Sequence, residues 1–337
     1  MTEVNRSWRL AARPAGMIKD SDFTWREEPV PELAPGQILV ETLYLSVDPT
    51  QRIWSERDSY MPAVAIGEVM RAAGVGRVVR STLEGFAPGD LVFGLLGWQT
   101  YAVMEAASER GPRKLPPELP PMMAVSLFGL TGLTAYFGLL DVGRLKEGET
   151  VVVSGAAGAT GNAVGQIAKI KGARVVGIAG GPAKCGWIKD ELGFDAAIDY
   201  KAEDVQKRLG ELCPNGIDVY FDNVGGPILE AALEHLAMRG RVVLCGQIGD
   251  YNNFEGSVGP RNLMNLVVKR GRIEGFLLTD YAPRFLEAIG ELARWAAEGR
   301  IKDRVDVVEG LENAPEALRR LFRGANIGKQ LIKVAAG

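Results

Sequence analysis

Two textures of hydrophobic patterning follow one another along the chain. From Trp8 to about Pro117, short apolar runs are cut at close intervals by glycine and proline: Gln37-Ile-Leu-Val-Glu-Thr-Leu43, Gly74-Val-Gly-Arg-Val-Val79, Gly89-Asp-Leu-Val-Phe-Gly94 and Trp98-Gln-Thr-Tyr-Ala-Val103. Runs of this length between turn residues predict a small, mostly antiparallel β-domain. From about Gly148 apolar strands alternate with helices instead. Strands are expected over 150–154, 174–178, 196–199, 217–221, 240–244 and 272–276, with helices over 162–171 and 183–192 between the first three. Alternation of this kind predicts a doubly wound parallel sheet. The last stretch carries a helix over 314–322 and a closing strand over 329–334, which has no natural partner in a complete parallel sheet and so points back to the first domain. The expected division is 1–125, 126–299 and 300–337, an α/β protein with a second, β-rich domain. There is no internal repeat or low-complexity linker.

Composition narrows the chemistry. Among 337 residues, 39 basic and 42 acidic side chains leave a net charge of −3, so no basic footprint suggests a nucleic-acid partner. There is one histidine, His235, and three dispersed cysteines, Cys185, Cys213 and Cys245. Zinc sites need three or four ligands, usually His and Cys, which makes a metal unexpected. His235 sits in Glu-His-Leu on what reads as an amphipathic helix, a packing position rather than a member of a catalytic triad. The cysteines suit a reducing compartment rather than a disulfide framework. The start, MTEVNRSWRLAARPAG, lacks the apolar core of a secretory signal. One charge-free stretch, 119–140, matches the roughly 20 residues of a membrane span. However, it begins Leu-Pro-Pro and carries Ser126, Gly129, Thr131, Gly132, Thr134 and Gly138, which suits a buried or cofactor-facing helix. A cytoplasmic protein without a membrane partner is expected.

The strongest local signal is Thr150-Val-Val-Val-Ser-Gly-Ala-Ala-Gly-Ala-Thr-Gly161, a buried strand turning through glycines into a helix. The start of such a helix offers unpaired backbone N–H groups and partial positive charge, and small residues let a pyrophosphate approach. As a bare pattern, GxxGxxG would serve equally as a structural turn. Its place in a strand–helix–strand unit makes it a dinucleotide site. An NAD site usually carries an acidic residue about 20 residues on, to hold the ribose 2′-hydroxyl. Here Ile178-Ala-Gly-Gly-Pro-Ala-Lys184 has none; Gly180 and Gly181 leave room, Lys184 adds positive charge, and Tyr200 can add a hydroxyl, so NADP is favoured. Ligands of doubly wound sheets lie beyond the carboxyl ends of the strands. Those ends are Asp222-Asn-Val-Gly-Gly226, Cys245-Gly-Gln-Ile-Gly-Asp-Tyr251 and Phe276-Leu-Leu278.

These residues bring out a resemblance over nearly the whole chain. Leu45-Ser-Val-Asp-Pro49, Gly67-Glu-Val-Met70, Gly97-Trp-Gln99, Gly132-Leu-Thr-Ala-Tyr-Phe-Gly-Leu-Leu140, Val164-Gly-Gln-Ile-Ala-Lys169, Phe221-Asp-Asn-Val-Gly-Gly226 and Asn326-Ile-Gly-Lys-Gln330 resemble the zinc-independent medium-chain dehydrogenase/reductases. The similarity is to the leukotriene-hydroxydehydrogenase, prostaglandin-reductase and curcumin-reductase type, with the bacterial curcumin-reductase branch nearest. The resemblance implies a GroES-like β-barrel domain with a Rossmann domain inserted before its last segment, and the cofactor in the cleft between them. It also implies a homodimer that reduces the carbon–carbon double bond of α,β-unsaturated ketones or aldehydes with NADPH. Under it, Ala157, Gly158, Ala159, Thr160 and Gly161 hold the pyrophosphate, and Gly180, Lys184 and Tyr200 flank the 2′-phosphate. Asn223, Cys245, Gly246, Gln247, Ile248, Tyr251, Phe276, Leu277, Leu278, Asn326 and Gly328 line the ribose and nicotinamide, with Thr134 near the nicotinamide. The family often has Asp-Pro-Tyr-Met-Arg where this chain has Asp48-Pro-Thr-Gln-Arg52, so the substrate side of the pocket is expected to differ.

Hydride delivery to the β-carbon of an enone puts negative charge on the carbonyl oxygen, which calls for a donor. Tyr251 is the first candidate and Tyr60 the second; each has the alternative of merely packing. Trp54, Tyr60, Met61 and Phe254 suggest an apolar pocket for a medium or bulky enone or enal, with packing within their loops as the alternative. A quinone reductase using the same cofactor, or a non-catalytic NADP-binding protein, are the alternative readings.

Overall fold

The structure, a computed structural model, describes residues 3–106, 111–253 and 255–335; Phe254 therefore lies outside the described residues. It divides into two units, Met1–Ser126 with Val305–Gly337, and Leu127–Arg304. The first unit opens with an antiparallel pair, β1 (Val4–Leu10) and β2 (Phe23–Pro29). It continues with β3 (Gln37–Ser46), α1 (Thr50–Trp54), β4 (Ala73–Ser81), β5 (Leu91–Leu95), β6 (Tyr101–Glu105), β7 (Arg113–Lys114) and α2 (Pro121–Val125). β3 pairs antiparallel with both β4 and β6. The approach of β4 to β3 is close enough to demand glycine: a Cβ on Gly76 would lie 2.4 Å from the Glu41 carbonyl oxygen, and the register shifts on either side. Leu10, Ile38, Val40, Leu45, Val92 and Trp98 are shut away from water in this core.

The second unit is the parallel sheet. α3 (Leu130–Phe137) leads into β8 (Thr150–Ser154), α4 (Ala159–Ile170), β9 (Arg174–Ala179), α5 (Pro182–Gly186), β10 (Ala196–Asp199) and α6 (Val205–Leu212). Then follow β11 (Ile217–Asp222), α7 (Gly226–Glu234), β12 (Leu236–Leu244), α8 (Met264–Lys269), β13 (Arg272–Gly275) and α9 (Phe285–Ala297). The strand order is β10-β9-β8-β11-β12-β13, all parallel. This is the Rossmann order, with its switch point between β8 and β11. Val151, Val152 and Val153 are wholly buried because the central strand is covered on both faces. α4 presses so closely on Phe194 that a Cβ on Gly165 would fall 1.8 Å from its ring.

The chain then returns to the first unit with β14 (Val305–Glu309), α10 (Ala314–Phe322) and β15 (Lys329–Lys333). β15 pairs parallel with β14 and antiparallel with the end of β3.

Several expectations are corrected. α4 begins three residues earlier than 162, because the glycine-rich turn ends at Gly158 and residues 159–161 already form helix. The helix expected over 183–192 is α5 followed by a wider helical turn, Trp187–Glu191. His235 lies just past the end of α7, half-buried against Gly210, not within an amphipathic helix. β12 starts at Leu236, before Arg239 at φ 63°. The stretch 119–140 is broken into α2 and α3, and Gly132 packs against the break, where its Cβ would sit 1.8 Å from the Leu127 oxygen. Among the described residues no helix is long and apolar enough to cross a membrane.

The return of β15 is fastened by a buried ion pair. Lys329, 2% exposed, sends its Nζ to the Asp48 carboxylate at 2.6 Å and to the Val47 carbonyl at 3.0 Å. Removing one partner of a buried pair strands the other without solvent. Lys329→Met is expected to cost about 3 kcal/mol, whereas Lys333→Met, which loses only an exposed 3.5 Å pair with Glu309, should cost under about 1 kcal/mol. Urea unfolding of the two variants checks this, and equal losses would contradict it.

Candidate cofactor site at the ends of the parallel strands

The site is built where β8 stops. Gly155, at φ 60°, turns the chain in the left-handed region that favours glycine, and the Gly158 N–H closes onto the Gly155 oxygen at 2.9 Å. Helix α4 then starts against this turn, so near that a Cβ on Gly161 would lie 2.3 Å from the Gly155 oxygen. The first hydrogen bond of the helix runs from Asn162 N–H to the Gly158 oxygen at 3.0 Å. The amides of Ala159, Thr160 and Gly161 precede it and have no acceptor within the helix. A turn free of side chains, with amides converging at a helix start, has the shape and polarity a pyrophosphate requires. Ala157 is buried beneath it.

At the end of β9 the chain passes Gly180 and Gly181 into α5, which carries Lys184. The room over Gly180 is filled by Tyr200: a Cβ there would meet the Tyr200 ring at 2.8 Å. Tyr200 is 45% exposed, so its ring covers the turn while remaining open to solvent. A carboxylate absent from the second strand end reaches the turn from the third: Asp199 Oδ1 accepts the N–H groups of Gly181 at 2.8 Å and Lys201 at 3.0 Å. Those amides engage the charge that would otherwise face an anion.

The exits of β11 and β12 are zipped together. The Asp222 carbonyl accepts the Cys245 and Gly246 amides at 2.9 and 3.1 Å, Asn223 O accepts Ile248 N–H at 3.2 Å, and Val224 O accepts Gly249 N–H at 3.1 Å. Asn223 is tied to β8 as well, with its N–H on Ser154 Oγ at 2.8 Å and its Nδ2 on the Ser154 carbonyl at 2.7 Å. Gln247 packs over Gly225, whose φ is 76°. The Tyr251 hydroxyl lies over Gly246 and accepts the Gln247 N–H at 3.2 Å. Phe276 closes the row: its ring fills the space beside Gly138 and meets Tyr281 edge-on at 6.3 Å, while Tyr281 stacks on Phe137 at 4.7 Å. Leu277 is exposed and Leu278 half-buried beyond it. Thr134 on α3 bonds back to Leu130 O at 2.7 Å.

Thus this unit gathers at its strand ends the residues expected at 157–161, 180, 184, 200, 223, 245–248, 251 and 276–278. The other expected residues belong to the first unit. Asn326 is buried, and its Nδ2 closes a turn onto Gly328 O at 2.9 Å, with Gly328 at φ 76°. Tyr60 is 48% exposed; its hydroxyl pairs with Thr50 Oγ1 at 3.0 Å and its ring meets Trp54 edge-on. Burial, and then the nearby Asp48 charge, hold the Tyr60 hydroxyl above the usual phenol range. Of Thr50, Gln51 and Arg52, only Thr50 is left partly open. Gln51 is buried on the Ser46 and Arg71 carbonyls, and Arg52 on those of Pro14 and Gly16.

Sequence reading missed Ser154, Tyr220 and the side chain of Asp222, which form a buried polar knot behind the site. The signal was an acidic residue, Asp222, directly after the apolar run Val219-Tyr-Phe221, a group that cannot be buried without donors. No group of three His, Cys, Asp or Glu placed to hold a metal ion occurs among the described residues.

Comparison with known proteins agrees with this geometry. Residues 6–110 match the family described as the N-terminal domain of oxidoreductase, and residues 159–294 the one described as zinc-binding dehydrogenase. The chain is 42% identical to the NADPH-dependent curcumin reductase of Escherichia coli (strain K12), over 98% of this chain and 97% of that protein. It is 39% identical to the NADP(+)-dependent 2-alkenal reductase of Nicotiana tabacum, over 95% of this chain and 94% of that protein. The crystal structure of CurA from Vibrio vulnificus in complex with NADPH is similar at a TM-score of 0.93 and 40% identity, covering 98% of this chain and 100% of that one. With the glycine turn, the Rossmann strand order and this likeness along its whole length, the chain belongs to the medium-chain dehydrogenase/reductase family, in the branch of the curcumin and 2-alkenal reductases.

Proposed function

We propose that this protein is an NADPH-dependent reductase of the carbon–carbon double bond of α,β-unsaturated ketones and aldehydes that works without zinc on small apolar substrates. The observation that carries the reading is the side-chain-free turn at 155–161, opening onto unpaired helix amides beside the zipped exits of β11 and β12. The kinship with a curcumin reductase and a 2-alkenal reductase supports the substrate class. In this reading residues 158–161 hold the pyrophosphate through the amides of Ala159, Thr160 and Gly161, and Gly180, Lys184 and Tyr200 face the 2′-phosphate. Asn223, Cys245–Ile248 and Phe276–Leu278 line the ribose and nicotinamide, with Thr134, Asn326 and Gly328 as further contacts. NADPH, when bound, supplies the hydride.

Negative charge gathers on the substrate carbonyl oxygen as the β-carbon is reduced, and a fixed donor lowers that barrier. Tyr251 is assigned that role. Its oxygen accepts the Gln247 amide, which polarises the phenol and strengthens its O–H as a donor. Tyr60 with Thr50 is assigned to the substrate side. Cys245 beside the site stays a thiol, since burial and the nearby Asp222 push it up to about 12. That matters for a protein handling electrophilic alkenes, because the thiolate is the form that attacks them. Steady-state assay with NADPH against an enal, an aryl enone and a quinone is expected to show turnover of the first two, and Tyr251→Phe to lower enone kcat about 10- to 100-fold at saturating NADPH. Unchanged turnover in Tyr251→Phe would remove the donor role, and quinone-only turnover would remove the double-bond reading.

A homodimer is part of the proposal. On the second unit Met264, Val267 and Val268 of α8 are 68%, 69% and 58% exposed, and Arg270 links α8 to the exposed Met238. β13 beside them pairs only with β12 among the described strands, leaving an open edge. An apolar patch next to an unpaired strand edge is a surface a second copy can cover. Light scattering is expected to give twice 36.3 kDa, falling to the single-chain mass in Met264→Glu/Val267→Glu; a monomeric parent protein would refute the dimer.

A further inference from the structure

At the switch point of the sheet, one buried aspartate joins three strand ends, its carboxylate bonding the end of β8 and the turn after β11 and its backbone carbonyl the exit of β12. Asp222 closes β11 with no exposed surface. Its Oδ1 accepts four donors: Ser154 Oγ at 2.9 Å from the end of β8, Tyr220 Oη at 3.0 Å from its own strand, and the Val224 and Gly225 amides at 3.1 and 3.0 Å from the turn that follows. Its carbonyl oxygen meanwhile accepts the Cys245 and Gly246 amides at the exit of β12. Oδ2 is also buried and has no hydrogen-bond partner. Such an arrangement is costly as a packing device, since an apolar residue would fill the space without a desolvated charge. Burial duly pushes the Asp222 carboxyl up in spite of its donors.

What the carboxylate does that an apolar residue cannot is fix amides. The Val224 and Gly225 N–H groups point inward only because Oδ1 accepts them. With them inward, the Asn223 backbone is drawn onto Ser154, where its N–H and side-chain amide are both held. Ser154 bridges the two, donating to Asp222 and accepting from Asn223. The same residue sets the start of the 245–248 turn through its carbonyl. It makes no such bond to the β9 end at Gly180 or to α5, where Asp199 is the carboxylate that engages the turn.

We propose that Asp222 is a positioning residue for the nicotinamide half of the cofactor, setting Asn223 and Cys245–Ile248 in the arrangement that half requires while leaving the 2′-phosphate half untouched. This rests on the cofactor site proposed above. The two halves make the inference separable from a general loss of structure. Adenosine 2′,5′-bisphosphate carries the 2′-phosphate that Lys184 and Tyr200 would face and the adenosine-side phosphate of the pyrophosphate, but no nicotinamide riboside, whereas NADPH carries both halves.

The experiment compares Asp222→Asn and Ser154→Ala with the parent protein, measuring the dissociation constants of NADPH and adenosine 2′,5′-bisphosphate by fluorescence and calorimetry, and the thermal midpoint without ligand. Asparagine keeps the shape, but it is a weaker acceptor for four donors and places an amide N–H where Oδ2 has no partner. NADPH affinity is expected to fall about tenfold, the loss of one charge-assisted hydrogen bond, with bisphosphate affinity within about twofold of the parent. Ser154→Ala should fall in the same direction, since it removes one of the four donors to Asp222 and the acceptor of the Asn223 N–H. Equal weakening of both ligands would make Asp222 merely structural, and unchanged NADPH affinity in both variants would overturn the inference outright. Asn223→Ala tests the underlying site by itself: if that variant binds NADPH like the parent, the placement of the nicotinamide at these strand ends fails, whatever Asp222 does.

Discussion

Every feature of the second unit follows from a constraint at the carboxyl ends of β8 and β11. These strands are neighbours in the sheet, but the chain leaves β8 toward β9 and leaves β11 toward β12, on opposite sides of the switch point. No further strand covers the gap, so the backbone amides at both exits need acceptors from loops, side chains or a ligand. The protein meets part of that need itself. Ser154, Asp222 and the zipped turns satisfy the amides on the β11 and β12 side, and the amides at the start of α4 are left for a phosphate. Glycine is required by the left-handed turn at Gly155 and by the close approach of α4 at Gly161.

Beside the buried Asp222 carboxylate, the groups offered at this edge include a thiol, a phenol and backbone dipoles. The thiol of Cys245 is held protonated, and the hydroxyl of Tyr251 accepts a backbone amide. Such a site suits a reaction in which charge appears only transiently, on a substrate oxygen, and is met by a donor already in place. The first unit contributes a different kind of order. Gln51, Arg52 and the Lys329–Asp48 pair are buried polar groups that hold the 46–56 segment, and they leave Thr50 and Tyr60 as its partly open hydroxyls.

Much of this was legible in the residues. The valine run of β8, the glycines that follow it and the strand-exit motifs are local patterns, and they give the parallel sheet and the turns at its carboxyl edge without knowledge of the fold. Long-range pairing was less legible. β14 was not foreseen, since Val305-Asp-Val-Val-Glu is short and becomes a strand only by pairing with β15. The length of β12 was missed because its first residues run past a left-handed Arg239. The room expected over Gly180 turned out to hold Tyr200, which a glycine in the sequence cannot reveal. Asp222 was visible as a letter beside Asn223, but its partners lie on two other strands, and only the register of the sheet brings them together.

The central claim is that the ends of β8, β11 and β12 form one cofactor edge. Amide hydrogen exchange of the whole protein with and without NADPH tests it most directly, because it reports on the backbone groups themselves. The account requires slowed exchange at 158–161, 223–225 and 245–248 when NADPH is bound. Tight NADPH binding without slowing in those three segments would contradict it.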